Sequence, residues 1–151
     1  MFDLNCDLGE GVGNDIKIMP WITSCNVACG GHFGDRNTIS ETISLAKKHN
    51  VRVGAHPSYY DHQNFGRISA YTNKKEFQNS IRNQLDLFQE VVDDLNVRWN
   101  HIKAHGALYN EMAKDLNLAM EYLEVIKEYQ NVSIVYLPSG STKIIDLFKS
   151  N

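Results

Sequence analysis

The stretch "HIKAHGALYN", residues 101–110, decides the fold of this chain. It is typical of a β-strand that runs directly into a helix. Side chains alternate between the two faces of a strand, so His101, Lys103 and His105 share one face. A parallel strand that is packed on both sides is almost wholly apolar. We therefore predict that this face lines a functional site rather than a packed core.

Outward from this stretch, strand and helix patterns alternate along the chain. Runs of β-prone residues, some strictly alternating, predict strands, and apolar residues at steps of three and four predict helices. The expected strands are 2–8, 22–29, 51–56, 99–105 and 132–137, and the expected helices are 36–49, 74–95, 116–130 and a short one in the tail 141–150. A further helix is expected to begin near Tyr109.

This alternation implies parallel strands joined by helical crossovers, either in an open doubly wound sheet or in a (β/α) barrel. Polar inward faces and titratable residues at the carboxyl ends of the strands favour the barrel. Such a barrel closes with about eight strands, and the pattern predicts fewer. The expected fold is therefore α/β: an incomplete (β/α) barrel of the glycoside hydrolase/deacetylase type. It has about five parallel strands with helices outside and forms one domain over 1–151 that is truncated at its C-terminus.

Composition excludes several classes of partner. The chain has 151 residues, a net charge of −3 and a pI near 6.0. It therefore offers no electrostatic case for binding nucleic acid or an anionic membrane. Its three cysteines, Cys6, Cys25 and Cys29, are an odd number and form no CxxC pair. This usage is typical of a reducing compartment, so we expect a cytoplasmic protein.

The first two strands deliver polar residues at their carboxyl ends. Asn5 and Asp7 lie on the first strand, and Glu10 follows in the glycine-rich turn "GEGVG" (9–13). Asn26 lies on the second strand, before the loop "CGGHFGD" (29–35), which contains His32 and Asp35. Asp35 is also well placed to cap the following helix. His32 has no such structural explanation.

The next two strands do the same. His56 ends the third strand, and Arg67 in the long loop after it could clamp a substrate carboxylate or form a surface ion pair. The fourth strand delivers Lys103 and His105, with Tyr109 shortly after. A buried lysine needs a carboxylate partner, and the first strand offers Asp7 or Asp3.

Two chemistries fit such a set, and the residues leave both open. One is a divalent metal that activates water, with His32, His56, His105 and Asp7 as candidate ligands. The other is metal-free hydrolysis, in which histidine and aspartate move protons and Lys103 stabilises an oxyanion. The sequence has neither an HExxH metal motif nor a GxSxG nucleophile motif.

Four blocks together resemble the LamB/YcsF family, the A subunits of bacterial 5-oxoprolinase. The chain departs from the family pattern by having Gly31 where the family has an aromatic residue, and Ser58, Tyr60 and Ala104 in place of glycine, proline and proline. Family members run to roughly 250 residues, the size of a complete barrel. The resembling blocks are "DLNCDLGEG" (3–11), "CNVACGGHFGD" (25–35), "VGAHPSYYD" with "FGR" (53–67) and "IKAHGALYN" (102–110).

The resemblance implies ATP-dependent opening of the lactam 5-oxo-L-proline to L-glutamate, with release of ADP and phosphate. It also implies the B and C subunits of 5-oxoprolinase as partners, with ATP and Mg²⁺ handled at a partner. The implied catalytic set is Asp7 and His105 for protons, Lys103 and His32 for charge, and His56 beside them. The implied substrate-binding residues are Arg67, for the carboxylate, and Asn5, Glu10, Asn26, Asp35 and Tyr109.

Two alternatives remain at this stage. The chain could be a metal-dependent amide hydrolase or deacetylase that acts on carbohydrate-type substrates. It could also be a non-catalytic, truncated subunit that only binds partners or a small acid.

Overall fold

A computed structural model describes residues 2–129, 134–138 and 142–150. Strands and helices alternate as the sequence predicts, with strand bounds trimmed by one to three residues. The strands are β1 (Asn5–Leu8), β2 (Ser24–Ala28), β3 (Arg52–His56), β4 (Trp99–Lys103) and β5 (Ile134–Tyr136). The helices are α1 (Asp15–Ile18), α2 (Arg36–His49), α3 (Lys74–Asp94), α4 (Gly106–Met112), α5 (Leu116–Ile126) and α6 (Thr142–Ser150), with a 3₁₀ turn at Met19–Trp21.

Most element predictions are confirmed. Helix α2 has the predicted bounds, α3 ends one residue early, and the tail forms α6. Helix α5 ends at Ile126, four residues before the predicted end. The predicted strand 132–137 corresponds to β5, and its first two residues lie outside the described ranges. The short helix α1 and the 3₁₀ turn were not predicted.

The sheet has the strand order of a barrel. All neighbouring pairs are parallel, and the spatial order is β1-β2-β3-β4-β5. A doubly wound sheet would reverse direction at a switch point, and this one does not. The Tyr136 hydroxyl of β5 donates to Asp3 Oδ2, just before β1, at 2.8 Å. The described sheet is therefore a curved arc, and within the described residues its edge strands do not pair with each other.

The apolar core lies between the outer face of this arc and the helices. Helix α3 packs one face into this core, because its apolar residues recur at helical spacing. Phe77, Ile81, Leu85, Phe88 and Val92 are all 5% exposed or less, as the spacing predicts. The face of the sheet that contacts the helices is therefore apolar, and the opposite, inner face carries polar residues.

Local signals fix the helix that follows β2. Asp35 is the N-cap of α2, and its carboxylate accepts hydrogen bonds from the backbone of Asn37 and Thr38. The Thr38 hydroxyl accepts a hydrogen bond from the Asp35 backbone N–H and completes a capping box.

Among the described helices, none combines the length and apolar character that crossing a bilayer requires. The three cysteines are unpaired.

Candidate active site

Polar side chains gather at the carboxyl edge of the arc. The register places Asp7 of β1 beside Asn26 of β2, and Asn26 beside Gly54 of β3. His56 and Lys103 are the last residues of β3 and β4. Because parallel strands end at the same edge, residues far apart in sequence meet here, as predicted.

Four of these residues form one compact group, which we call the histidine cluster: Glu10, His32, His56 and His105. Their donor atoms all lie within 4.8 Å of one another. Glu10 Oε1 lies 2.9 Å from His32 Nε2, 3.5 Å from His105 Nδ1 and 3.9 Å from His56 Nε2. His56 Nε2 and His105 Nδ1 are 3.0 Å apart. The three rings are almost fully buried, with His105 the most exposed at 8%.

In each histidine ring, the nitrogen that faces away from the cluster, here called the outer nitrogen, contacts an oxygen of the surrounding chain. His56 Nδ1 lies 2.6 Å from the backbone oxygen of Lys103. His105 Nε2 lies 3.0 Å from the backbone oxygen of Phe65, and His32 Nδ1 lies 3.1 Å from Ser58 Oγ. The rings of His32 and His105 also stack, with centroids 3.7 Å apart. The orientation of all three rings is therefore set by the surrounding chain.

Two glycines let the loops close around the rings. Gly66 and Gly106 both have positive φ, +64° and +55°, which favours glycine. A Cβ at Gly66 would lie 2.9 Å from His32 Cβ and 3.1 Å from His105 Cδ2. A Cβ at Gly106 would lie 2.4 Å from the backbone oxygen of Gly66. The loop after β3 and the start of α4 thus pack too closely to accept larger residues.

Burial decides the charge state of the cluster. It lowers the pKa of His32, and it lowers the pKa of His105 to about 4 with help from the two neighbouring histidines. For Glu10, burial alone would raise the pKa, but the contact with His32 and the nearby His56 and His105 outweigh it and lower the pKa. Burial thus disfavours the charged form of the imidazoles at positions 32 and 105, whereas the lowered pKa of Glu10 requires positive charge or a donated hydrogen bond beside it.

An ion pair borders the cluster. Lys103 Nζ lies 2.7 Å and 2.9 Å from the two carboxylate oxygens of Asp7, which confirms the predicted pairing and selects Asp7 over Asp3. Asp7 Oδ2 is 3.4 Å from His56 Nε2. Burial alone would raise the pKa of Asp7, but His56 and Lys103 outweigh it and hold the pKa well below its ordinary value. A stable carboxylate and an ammonium group thus lie at the edge of the site.

A polar layer below this pair holds the strands in register. Asn26 donates to Asp7 Oδ1 at 2.6 Å and accepts from His101 Nε2 at 2.8 Å. Asn5 donates to Ser24 Oγ at 2.8 Å and also bonds with Asn26. Asn5 and Asn26 therefore position Asp7.

Two predicted substrate-binding residues lie at the periphery. The exposed Arg67 guanidinium lies 5.6 Å from the centre of the Phe65 ring. Phe65 itself packs edge-on against His32 and His105, with centroids 5.1 Å and 5.5 Å away. Tyr109 is partly buried on α4, where burial and the charge of Asp7 raise the pKa of its hydroxyl. Both residues therefore lie near the opening of the site.

The structure changes two expectations. The carboxylate among the histidines is Glu10, whereas Asp7, the predicted ligand candidate, is engaged by Lys103. Asp35 is not brought into the cluster, because its exposed side chain caps α2. Sequence reasoning also missed Ser58 and the Phe65 carbonyl as partners of the histidines. The position of Ser58, two residues after His56, was the available signal for the first.

The sheet and its site define the class of protein. A sequentially ordered parallel arc with polar residues at its carboxyl edge is an α/β protein of the (β/α)-barrel type. The family follows from sequence: residues 2–147 match the model of the LamB/YcsF family, and the chain belongs to that family.

Several known proteins are similar to this chain. A protein from Staphylococcus aureus strain MRSA252, named as the A subunit of 5-oxoprolinase, is 46% identical over 153 aligned positions, covering 98% of this chain and 61% of the relative. A protein of the same name from Syntrophobacter fumaroxidans is 41% identical and covers 92% of this chain and 57% of the relative. The chain thus spans about three fifths of the length of these curated relatives.

A solved structure agrees with the fold. The crystal structure of a lactam utilization protein from Thermus thermophilus superposes with a TM-score of 0.91 at 30% identity. The match covers 98% of this chain and 62% of that protein. The described arc therefore superposes on about three fifths of that longer protein.

Proposed function

We propose that this chain carries the active site of a 5-oxoprolinase A subunit. The reaction is hydrolytic opening of 5-oxo-L-proline to L-glutamate, coupled to conversion of ATP to ADP and phosphate. The observation that carries the proposal is that the region shared with the relatives named as A subunits of 5-oxoprolinase spans the histidine cluster and the Asp7–Lys103 pair. Lactam opening needs this kind of site, because water must attack a poorly electrophilic carbonyl.

The geometry suggests a role for each group. The γ-phosphoryl group of ATP passes to the lactam oxygen and ADP leaves. Water then adds to the activated carbon, the C–N bond breaks with a proton passing to the nitrogen, and a second water releases phosphate to give glutamate. Asp7, held as an anion beside the cluster, orients the attacking water by accepting its hydrogen bond, and His105 takes part in proton transfer. Lys103 donates to the oxygen that gains negative charge, supported by His32. Arg67 binds the substrate carboxylate through its planar guanidinium.

ATP is assigned to a partner protein. The glycine-rich turn after β1 borders a cavity of about 420 Å³ against α2, but its described lining includes Asp15 and Glu41 and no lysine or arginine. Carboxylates would repel the phosphates of a nucleotide. We therefore propose that ATP and its Mg²⁺ bind at the B or C subunits, and that the complex works in the cytoplasm.

The test is glutamate release from 5-oxoproline and ATP, after this chain is mixed with B and C subunits of a full-length system. We expect release by the unaltered chain and at least a ~100-fold loss with Lys103→Met, the order of magnitude of one oxyanion donor. Lys48→Met, at an exposed position of α2, is the matched control and keeps full activity. No release, while the full-length A protein works in the same mixture, would count against the proposal and favour a non-catalytic binding role.

A second candidate is a metal-dependent amide hydrolase or deacetylase of carbohydrate-type substrates. The composition of the histidine cluster favours it, since three imidazoles and a carboxylate are typical ligands of a catalytic metal. This reaction needs no ATP. Release of acetate from an N-acetylated sugar by the isolated chain, without ATP, would select it over lactam opening.

A further inference from the structure

The outer hydrogen bonds of the three histidines determine which ring nitrogens carry protons. A carbonyl oxygen only accepts hydrogen bonds, so the nitrogen facing it must be an N–H. His56 Nδ1 faces the Lys103 carbonyl and His105 Nε2 faces the Phe65 carbonyl. In the neutral form of each ring, the protons therefore lie on the outer nitrogens.

His32 follows the same rule by one further step. The Ser58 hydroxyl donates its only proton to the carbonyl of Tyr59 at 2.8 Å. Ser58 Oγ therefore accepts from His32 Nδ1, 3.1 Å away. The proton of the third neutral ring is thus also on the outer nitrogen, and His32 Nε2 is left with a lone pair.

The inner atoms of the cluster are then all electron-pair donors. His56 Nε2 and His105 Nδ1 face each other at 3.0 Å, and His32 Nε2 faces a carboxylate oxygen of Glu10 at 2.9 Å. Bare lone pairs at such distances repel. The burial of these groups removes the water that would otherwise separate them. The arrangement is stable only with a cation among the four donors.

We propose that Glu10, His32, His56 and His105 bind one divalent transition-metal ion, with Zn²⁺ as the best fit. Ligands about 2.0–2.1 Å from a tetrahedral zinc lie about 3.3–3.4 Å from one another. Four of the six separations among these atoms are 2.9, 3.0, 3.5 and 3.9 Å, and all six are within 4.8 Å. Imidazole and carboxylate ligands suit zinc, and the outer carbonyls and Ser58 supply the hydrogen bonds that orient metal-binding histidines.

The proposed binding site stands on the geometry alone. The role of the metal in the reaction rests on the proposed function. With four protein ligands, a divalent cation here would bind water only as a fifth ligand, and it would then lower the pKa of that water toward neutrality. Asp7, 3.4 Å from His56 Nε2, lies where it can accept a hydrogen bond from that water. His32 and His105 would then act through the metal, and binding itself can be measured on this chain alone.

The first experiment uses the unaltered chain, stripped with a chelator and dialysed against Zn²⁺ or Co²⁺ at pH 7.5. We expect about one metal ion per chain by mass spectrometry of the metal, a rise in melting temperature, and the visible absorption bands of tetrahedral Co²⁺. A folded, stripped chain that takes up no metal would overturn the proposal. The histidines would then share a proton, visible by NMR as a doubly protonated ring.

Variants assign the site to these residues. His105→Asn and Glu10→Gln remove one ligand each and abolish stoichiometric binding, whereas His62→Gln, in the exposed loop after β3, leaves it unchanged. Ser58→Ala removes only an outer hydrogen bond and weakens metal affinity by about 10- to 100-fold. Ser44→Ala on the exposed side of α2 is its control. Equal affinity in Ser58→Ala and Ser44→Ala would contradict the assigned orientation of His32.

The two proposals fail in distinguishable ways. Stoichiometric metal without glutamate release would keep the metal site and reject the lactam reaction. Glutamate release that persists in a fully metal-free chain would keep the reaction and reject the metal.

Discussion

At the scale of single residues, Gly54 of β3 determines where His101 lies. A Cβ at position 54 would come within 2.2 Å of His101 Cδ2 and 2.5 Å of its backbone oxygen. Since the backbone atom cannot rotate away, Gly54→Ala must displace β4 or the ring. We expect the free energy of unfolding to fall by about 1–3 kcal/mol, as for other overpacked cores. Urea unfolding measures this, and an unchanged midpoint would show that the sheet relaxes freely.

His101 itself makes the stability of the fold depend on pH. Burial lowers its pKa to about 4, opposed in part by the charge of Asp3. The unfolded chain therefore binds a proton at this residue before the folded chain does. The stability linked to His101 is complete above pH about 6.5 and is lost as pH falls toward 4. NMR of the folded chain should find the ring neutral down to about pH 5, and a midpoint near 6.5 would contradict the prediction.

Gly31, Ser58 and Gln84 pack against one another. A Cβ at Gly31 would lie 2.3 Å from both Ser58 Oγ and Gln84 Oε1. The Gln84 amide, in turn, bonds to the backbone of Ser58. An aromatic residue at position 31 is therefore incompatible with Ser58 and Gln84 as they lie here. The sequence separates these three residues, and only the structure shows that they face each other.

At the scale of elements, substitutions of Asp35 test whether this residue caps a helix or binds substrate. It caps α2, so Asp35→Ala should lower the free energy of unfolding by about 1 kcal/mol. Asp35→Asn keeps an N-cap acceptor and should restore most of that loss. Neither variant should change metal uptake or turnover by more than about twofold, because the side chain does not reach the histidine cluster. A large loss of turnover in the stable Asp35→Asn variant would return Asp35 to the substrate-binding set.

The elements were predictable where one periodicity dominates. Helix α3 buries apolar residues at steps of three and four, and the strands place Asp7, His56 and Lys103 on one face by alternation alone. The position of Glu10 was not predictable in the same way. Glu10 lies inside a turn, between Gly9 and Gly11, whose φ angles are +71° and +75°, and such a turn ends the alternation. Strand parity therefore selected Asp7 as the ligand candidate, whereas the turn places Glu10 among the histidines.

At the scale of the whole molecule, the fold is an arc that curves enough to bring β5 close to the start of β1. Strand parity and crossover rules predicted the parallel order, because each βαβ unit places the next strand beside the last. The curvature was not predictable from any single element. It is seen in the approach of Tyr136, at the end of β5, to Asp3, just before β1.

That approach gives a test of the arc as a unit. The Tyr136 hydroxyl donates to the Asp3 carboxylate, so Tyr136→Phe removes one hydrogen bond and leaves the ring against His101, 5.0 Å away between centroids. We expect the free energy of unfolding to fall by about 0.5–1.5 kcal/mol at pH 7. The lower half of that range is favoured because the Asp3 side chain is 35% exposed.

The pH dependence of this effect identifies its cause. Hydrogen bonds from Thr23, Tyr136 and Ser24 outweigh burial and lower the pKa of Asp3 to about 2. A carboxylate with a lowered pKa stabilises the fold above its ordinary pKa of 3.8 and loses that effect as pH falls toward 2. The cost of Tyr136→Phe should therefore be full at pH 7 and smaller at pH 3. A double-mutant cycle with Asp3→Asn, by urea unfolding at both pH values, isolates the pair. A coupling energy near zero at pH 7 would mean that the two ends of the arc do not meet in solution.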